Sequence, residues 1–98
     1  MRWAARTDST QTAIVEALRD IGCEVAVTSR VGGGFPDLVA SRAGDTVLIE
    51  TKTKGGKLNP AQTKFHQRWR GRIGTAWTPE QAIKLVLKWL AKIDGVPN

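Results

Sequence analysis

Apolar and polar positions along the chain alternate between two periods. In "DSTQTAIVEALRDIG" the apolar residues Ile14, Val15, Leu18 and Ile21 recur at helical spacing, with Asp8 or Ser9 as N-cap and Gly22 as the stop. "CEVAVTS" shortens the period to that of a strand, and "VGGG" at 31–34 is a flexible break before "PDLVASR", a second strand. Ala43, Gly44 and Asp45 carry turn chemistry, and "TVLIETKT" after them is a β-branched third strand, so residues 36–53 read as a hairpin. "KGGK" then leaves the sheet. Asn59, Pro60 and Gln62 are the N-cap, first-turn proline and capping-box glutamine of a second helix that continues to about Arg70. The same grammar recurs at Thr78, Pro79 and Gln81. Between the two, "GTAWT" is a short fourth strand, and the third helix, "PEQAIKLVLKWLAKI", places Ile83, Val86, Leu87 and Leu90 on one face. The predicted fold is α/β, a small mixed β-sheet flanked by helices in the order α-β-β-β-α-β-α.

The 98 residues suffice for one domain, and residues 94–98 read as a frayed tail. Fifteen Lys and Arg against nine Asp and Glu give a net charge of +6, which makes nucleic acid or another anionic surface the first partner to consider. No apolar run is long enough for a signal peptide or a membrane span, so a soluble, cytoplasmic protein without membrane partners is expected. The lone Cys23 excludes an internal disulfide and a cysteine-rich zinc site, fits a reducing cytosol, and reads as a small buried hydrophobe.

Against this background two acids stand out in the predicted hairpin. Asp37 and Glu50 are symmetric about the Ala43–Gly44 turn, so in an antiparallel pair they lie opposite each other, with β-carbons about 4.5–5.5 Å apart. Lys52, two residues beyond Glu50, shares their face. Two ionised carboxylates repel by about 4 kcal/mol at about 4 Å in an effective dielectric of about 20. An ion pair with Lys52 or an arginine would offset this; so would a divalent cation, since Mg²⁺ is commonly held by one or two carboxylates beside substrate phosphate. On helix one, Gln11 projects along the apolar stripe and Glu16 away from it. Gln11, near a helix start, is either capping or hydrogen-bonded in the core, or else orients a metal-bound water. Gln62 is either only the capping partner of Asn59 or a contact to substrate phosphate or metal water.

Taken together, Pro36-Asp37, Glu50-Thr51-Lys52 on the next strand and the following "LNPAQTKFH" resemble the PD-(D/E)XK nuclease signature, specifically the VRR-NUC type, which is similar to archaeal Holliday junction resolvases. The resemblance runs from about Asp8 to Trp89 and implies a restriction-endonuclease-like core filling residues 1–98 as a single nuclease domain. It further implies a metal-dependent endodeoxyribonuclease, often a homodimer, of a kind found in bacteria and phages. Asp37, Glu50 and the backbone carbonyl of Thr51 would bind Mg²⁺ or Mn²⁺, Lys52 would position the attacking water and stabilise developing charge, and Gln62 matches the glutamine of the motif. Gln11 stands where many relatives carry a glutamate, so any role at the metal would run through water. The reading from a different class is a non-catalytic nucleic-acid-binding module with a structural acidic cluster.

The glycine-rich segments lack the spacing of a phosphate-binding loop, so no nucleotide cofactor is expected. They suit loops bending around DNA, with Arg30, Lys54, Lys57 and Lys64 on phosphates or simply solvated. His66 has no nucleophile motif beside it and reads as a surface or interface residue. Trp77 and Trp89 read as core, whereas Trp3 and Trp69 could bury against a second subunit.

Overall fold

Helix α1 (Arg2–Asp20) starts earlier than Asp8 or Ser9, so neither residue caps it. The preceding residues, rich in Ala and Arg and free of Gly and Pro, simply continue the helix. It ends as expected at Gly22, whose φ of +97° only glycine adopts freely. There the Gly22 N–H donates to the Arg19 carbonyl and the Cys23 N–H to the Leu18 carbonyl, the paired closure of a Schellman motif. The computed structural model describes the backbone of residues 2–90 and side chains from Ser9 to Trp89. The side chains of Trp3, Asp8 and Leu90 and the tail at 94–98 therefore lie outside the described residues.

Four strands follow the order β1 (Glu24–Val27), β2 (Leu38–Arg42), β3 (Asp45–Thr51), β4 (Ile73–Ala76) across one sheet. The β1–β2 and β2–β3 pairs are antiparallel, and β3–β4 is parallel, reached through helix α2 (Pro60–Arg68). Helix α3 (Pro79–Leu90) closes the chain's α-β-β-β-α-β-α order. Within the hairpin, Leu38 pairs with Ile49 and Arg42 with Asp45, leaving Ala43 and Gly44 as a two-residue turn. Both turn residues have positive φ, +56° and +85°, as a type I′ connection demands. Ala43 occupies this region at a steric cost that asparagine largely avoids. Ala43→Asn should therefore stabilise the protein by up to about 1 kcal/mol, read as a higher urea midpoint at unchanged slope.

Alternation along the strands sorts residues onto two faces. Val25, Leu38, Ala40, Val47 and Ile49 form a buried cluster with Ile14 and Leu18 of α1 and Ala82 and Val86 of α3. Each fully buried Ile or Leu contributes about 1.5–3 kcal/mol relative to exposure. Cys23 joins this core, and burial pushes its thiol pKa up, against the smaller opposing pull of Arg42.

Helix α3 is rotated relative to expectation. Its inner stripe is Ala82 and Val86, flanked by Ile83 and Leu85, whereas Leu87 is 41% and Trp89 37% exposed. Leu87 and Trp89 are thus not core residues, and the line through Ala82 and Val86, both fully buried, is the one that faces the core. Trp77 is half-buried, and its indole N–H donates to the Gly56 carbonyl at 2.8 Å.

Leu48 and Glu50 point to the other face, where α2 contributes no buried residue. An aromatic row stands there instead: Phe35 packs edge-on to Phe65, which stacks on Trp69.

Candidate active site

The hairpin register carries one step past Leu38–Ile49 and brings Asp37 beside Glu50. Asp37 is anchored from two sides. Its backbone carbonyl accepts from the Thr28 N–H at 2.7 Å, while the Thr28 hydroxyl donates to the Pro36 carbonyl. Its Oδ2 accepts from both the backbone N–H (3.1 Å) and the hydroxyl (2.9 Å) of Thr51. Glu50 is 2% exposed, a charge-bearing side chain in the interior. Its Oε2 accepts from Gln62 Nε2 at 3.0 Å and lies 3.8 Å from Lys52 Nζ. Its Oε1 is buried with no donor.

That orphaned oxygen tests whether a cation fits. Burial first, and then the charge and hydrogen-bonding reach of Asp37, push the Glu50 pKa up to about 8, with Lys52 pulling it down only in part. With both acids ionised no protein group donates to Oε1, and a proton shared with Asp37 or a cation would each compensate its charge. Lys52, 3.8 Å from Glu50 Oε2, forms the ion pair that a structural reading expects and offsets the burial only in part. Among the described residues no cluster of three or more His, Cys, Asp and Glu exists. Two carboxylates beside a polar cavity nevertheless fit Mg²⁺ or Mn²⁺, which keep waters and rarely need an all-protein cage.

This protonation has a measurable consequence. A folded-state pKa near 8, above the ordinary 4.5, means that the folded chain holds a proton that the unfolded chain releases. Stability from this group is complete below about pH 4.5 and is lost as pH rises toward about 8. Melting curves in chelator should move downward over that window and level off above it, and Glu50→Gln should flatten the trend. A pH-independent melting temperature in the unaltered protein would show that Glu50 is not desolvated.

A cavity of about 350 Å³ opens over these groups, lined by Asp37, Glu50, Thr51, Lys52, Gln62 and Gln11. Gln11 does point inward and Glu16 is exposed, but Gln11 sits in mid-helix, so capping a helix start is not its role. Gln62 does two things at once. Its backbone N–H and side-chain oxygen complete the capping box with Asn59, and its side-chain nitrogen holds Glu50. His66 lies one turn on, with Nδ1 2.9 Å from the Gln62 carbonyl and Nε2 3.4 Å from the hydroxyl of Thr75, the cross-strand partner of Glu50. Arg30, Lys54, Lys57 and Lys64 are all exposed.

Sequence reasoning missed the Thr51 side chain as the second clamp on Asp37, and Thr10, Ser29 and Thr53 on the cavity wall. Short hydroxyl side chains carry no spacing signal in one sequence. It also read 31–34 as a flexible break. The segment is instead a series of tight turns, with Val31 N–H on the Thr28 carbonyl and Phe35 N–H on that of Gly32. Gly34, at φ +83°, lies so close to α2 that a β-carbon there would overlap the Ala61 carbonyl.

Compared as a sequence, the chain matches no family model and no curated protein at a significant level. Compared as a structure, it is similar to a solved structure described as a "VRR_NUC domain", with a TM-score of 0.67 and 26% identity. The match covers 80% of this chain and 90% of that one. The element order and the mixed sheet agree with this likeness, and the chain has a fold like that of a VRR-NUC domain.

Proposed function

We propose that the chain is a divalent-metal-dependent endonuclease that hydrolyses phosphodiester bonds in DNA. The observation that carries this reading is the buried Glu50, with one oxygen unsatisfied, set against Asp37 and Lys52 in a polar cavity. The likeness to a VRR_NUC domain and the net charge of +6 support it independently.

In this reading Asp37, Glu50 and the Thr51 carbonyl hold Mg²⁺ or Mn²⁺. When bound, such an ion supplies Lewis-acid charge at a phosphoryl oxygen and makes a water more acidic. Thr51 fixes one oxygen of Asp37, leaving the other to the ligand. Gln62 holds Glu50 in the orientation that keeps its oxygens apart from the capping interactions of α2. Lys52, close to Glu50 and still partly accessible, brings positive charge to the position where the pentacovalent phosphorus accumulates negative charge. Gln11, on the cavity wall, orients water rather than coordinating directly. The exposed Arg30, Lys54, Lys57 and Lys64 neutralise backbone phosphates, giving affinity that falls with salt. Preference for branched DNA, such as the four-way Holliday junction, and action as a homodimer are the finer parts of the proposal and rest on the sequence resemblance.

The test is incubation of the purified protein with plasmid, linear duplex and four-way junction DNA in Mg²⁺, Mn²⁺ or EDTA. Metal-dependent cleavage is expected, strongest on the junction. DNA binding without cleavage under every metal condition would overturn the enzyme reading in favour of a binding module.

A further inference from the structure

The aromatic row on the α2 face has a feature that packing alone does not require. Phe35, two residues from Asp37, meets Phe65 at a centroid distance of 5.3 Å and an interplanar angle of 71°. Phe65 then stacks on Trp69 at 5.3 Å and 19°. The row thus runs outward from the acidic site and ends in an indole that is 41% exposed. Phe65 covers one side of that indole, and among the described residues no other ring stacks on it. The Trp69 backbone N–H caps α2 on the Phe65 carbonyl, and its ring lies over Gly71, where a β-carbon would come within 2.8 Å of the indole nitrogen. The flanking sequence is basic. Lys64, Arg68 and Arg70 are exposed, and among the described residues none of them is paired with a carboxylate.

We propose that Trp69 is a stacking platform for an unpaired base of the DNA whose backbone crosses the Asp37–Glu50–Lys52 cavity, an assignment that rests on the nuclease reading. An exposed indole between Arg68 and Arg70 in the chain has the chemistry that single-stranded nucleic acid needs: a π-face for the base and positive charge for its phosphates. The distance fits as well. Gln62 touches Glu50, and Trp69 lies on the same stripe of α2 about two turns further on, or about 11 Å along the axis. That is about three nucleotide steps. The base on Trp69 would belong to a strand end, gap or branch a few nucleotides from the phosphate at the acids, so the platform selects DNA with an unpaired stretch over continuous duplex.

The experiment measures binding in EDTA, where cleavage plays no part, to a blunt duplex and to the same duplex with a short single-stranded overhang containing 2-aminopurine. The unaltered protein should prefer the overhang and quench the 2-aminopurine. Trp69→Leu, which keeps an apolar contact to Phe65 without an aromatic face, should lose about tenfold in overhang affinity and leave duplex affinity within about twofold. Trp69→Phe should recover most of the loss. Unquenched 2-aminopurine in the unaltered protein overturns the proposal whether or not the variants fold. Equal losses on both DNAs, or none, also overturn it. A change in oligomeric mass on Trp69→Leu with unchanged DNA selectivity would assign the face to a second copy of the chain instead. Absence of cleavage in Mg²⁺ with selective binding intact would sink the nuclease reading and leave the platform standing.

Discussion

Asp37→Asn should reduce metal-supported cleavage by about 1,000-fold or more, while the protein remains folded and melts at the same temperature or higher. The two halves of this expectation come from one geometry. Asparagine retains an oxygen for the Thr51 N–H and hydroxyl, so the anchoring of residue 37 survives. What disappears is a negative charge beside the buried Glu50, and with it part of the repulsion that raises the Glu50 pKa. The chelated protein gains from that relief. A cation held as proposed would lose a ligand charge, and withdrawing several kcal/mol of charge stabilisation from the transition state costs about three powers of ten in rate. Cleavage kinetics and calorimetric titration with Mn²⁺ on the same preparation check both halves. Undiminished metal affinity in Asp37→Asn would remove Asp37 from the metal site.

The second large effect belongs to a glycine outside the cavity wall. Gly34→Ala should cost about 2–4 kcal/mol, combining the left-handed backbone penalty with overlap against a helix backbone that cannot rotate away. In a domain of this size that lowers the melting temperature by about 10–20 °C. The same substitution at Gly32 is the control, since it has the same φ of +83° and no atom within 4 Å of the added carbon. Gly32→Ala should cost only the backbone term, about 1–2 kcal/mol. Equal destabilisation by the two would mean that the approach of this loop to Ala61 contributes nothing. Because the loop also carries Phe35 and Asp37, Gly34→Ala should reduce cleavage even where the protein stays folded.

Much of this was legible in the sequence where local rules and the fold agree. The symmetry of Asp37 and Glu50 about residues 43 and 44 gave the correct register because a two-residue turn leaves no slack. Asn59 and Gln62 announced α2 by a reciprocal pair of hydrogen bonds that depends on nothing distant. The misreadings lie where tertiary contacts decide. The start of α1 carries no breaker, so its extension to Arg2 overrode a plausible cap at Asp8 or Ser9. Leu87 and Trp89 fit a helical stripe, but the interior went to the line of Ala82 and Val86. The direct hold of Gln62 on Glu50 needed the crossover between β3 and β4, which no spacing rule encodes.

The tight turn at Ala43 and Gly44 also bears on how the chain reaches its native state. Zipping outward from it needs only short-range closure, so β2 and β3 can pair before the slower parallel addition of β4. The last rung to close in that early ribbon is the one that forces the two acids together. The acidic pair therefore sits at the open end of the hairpin, where two like charges oppose closure and acid would ease it.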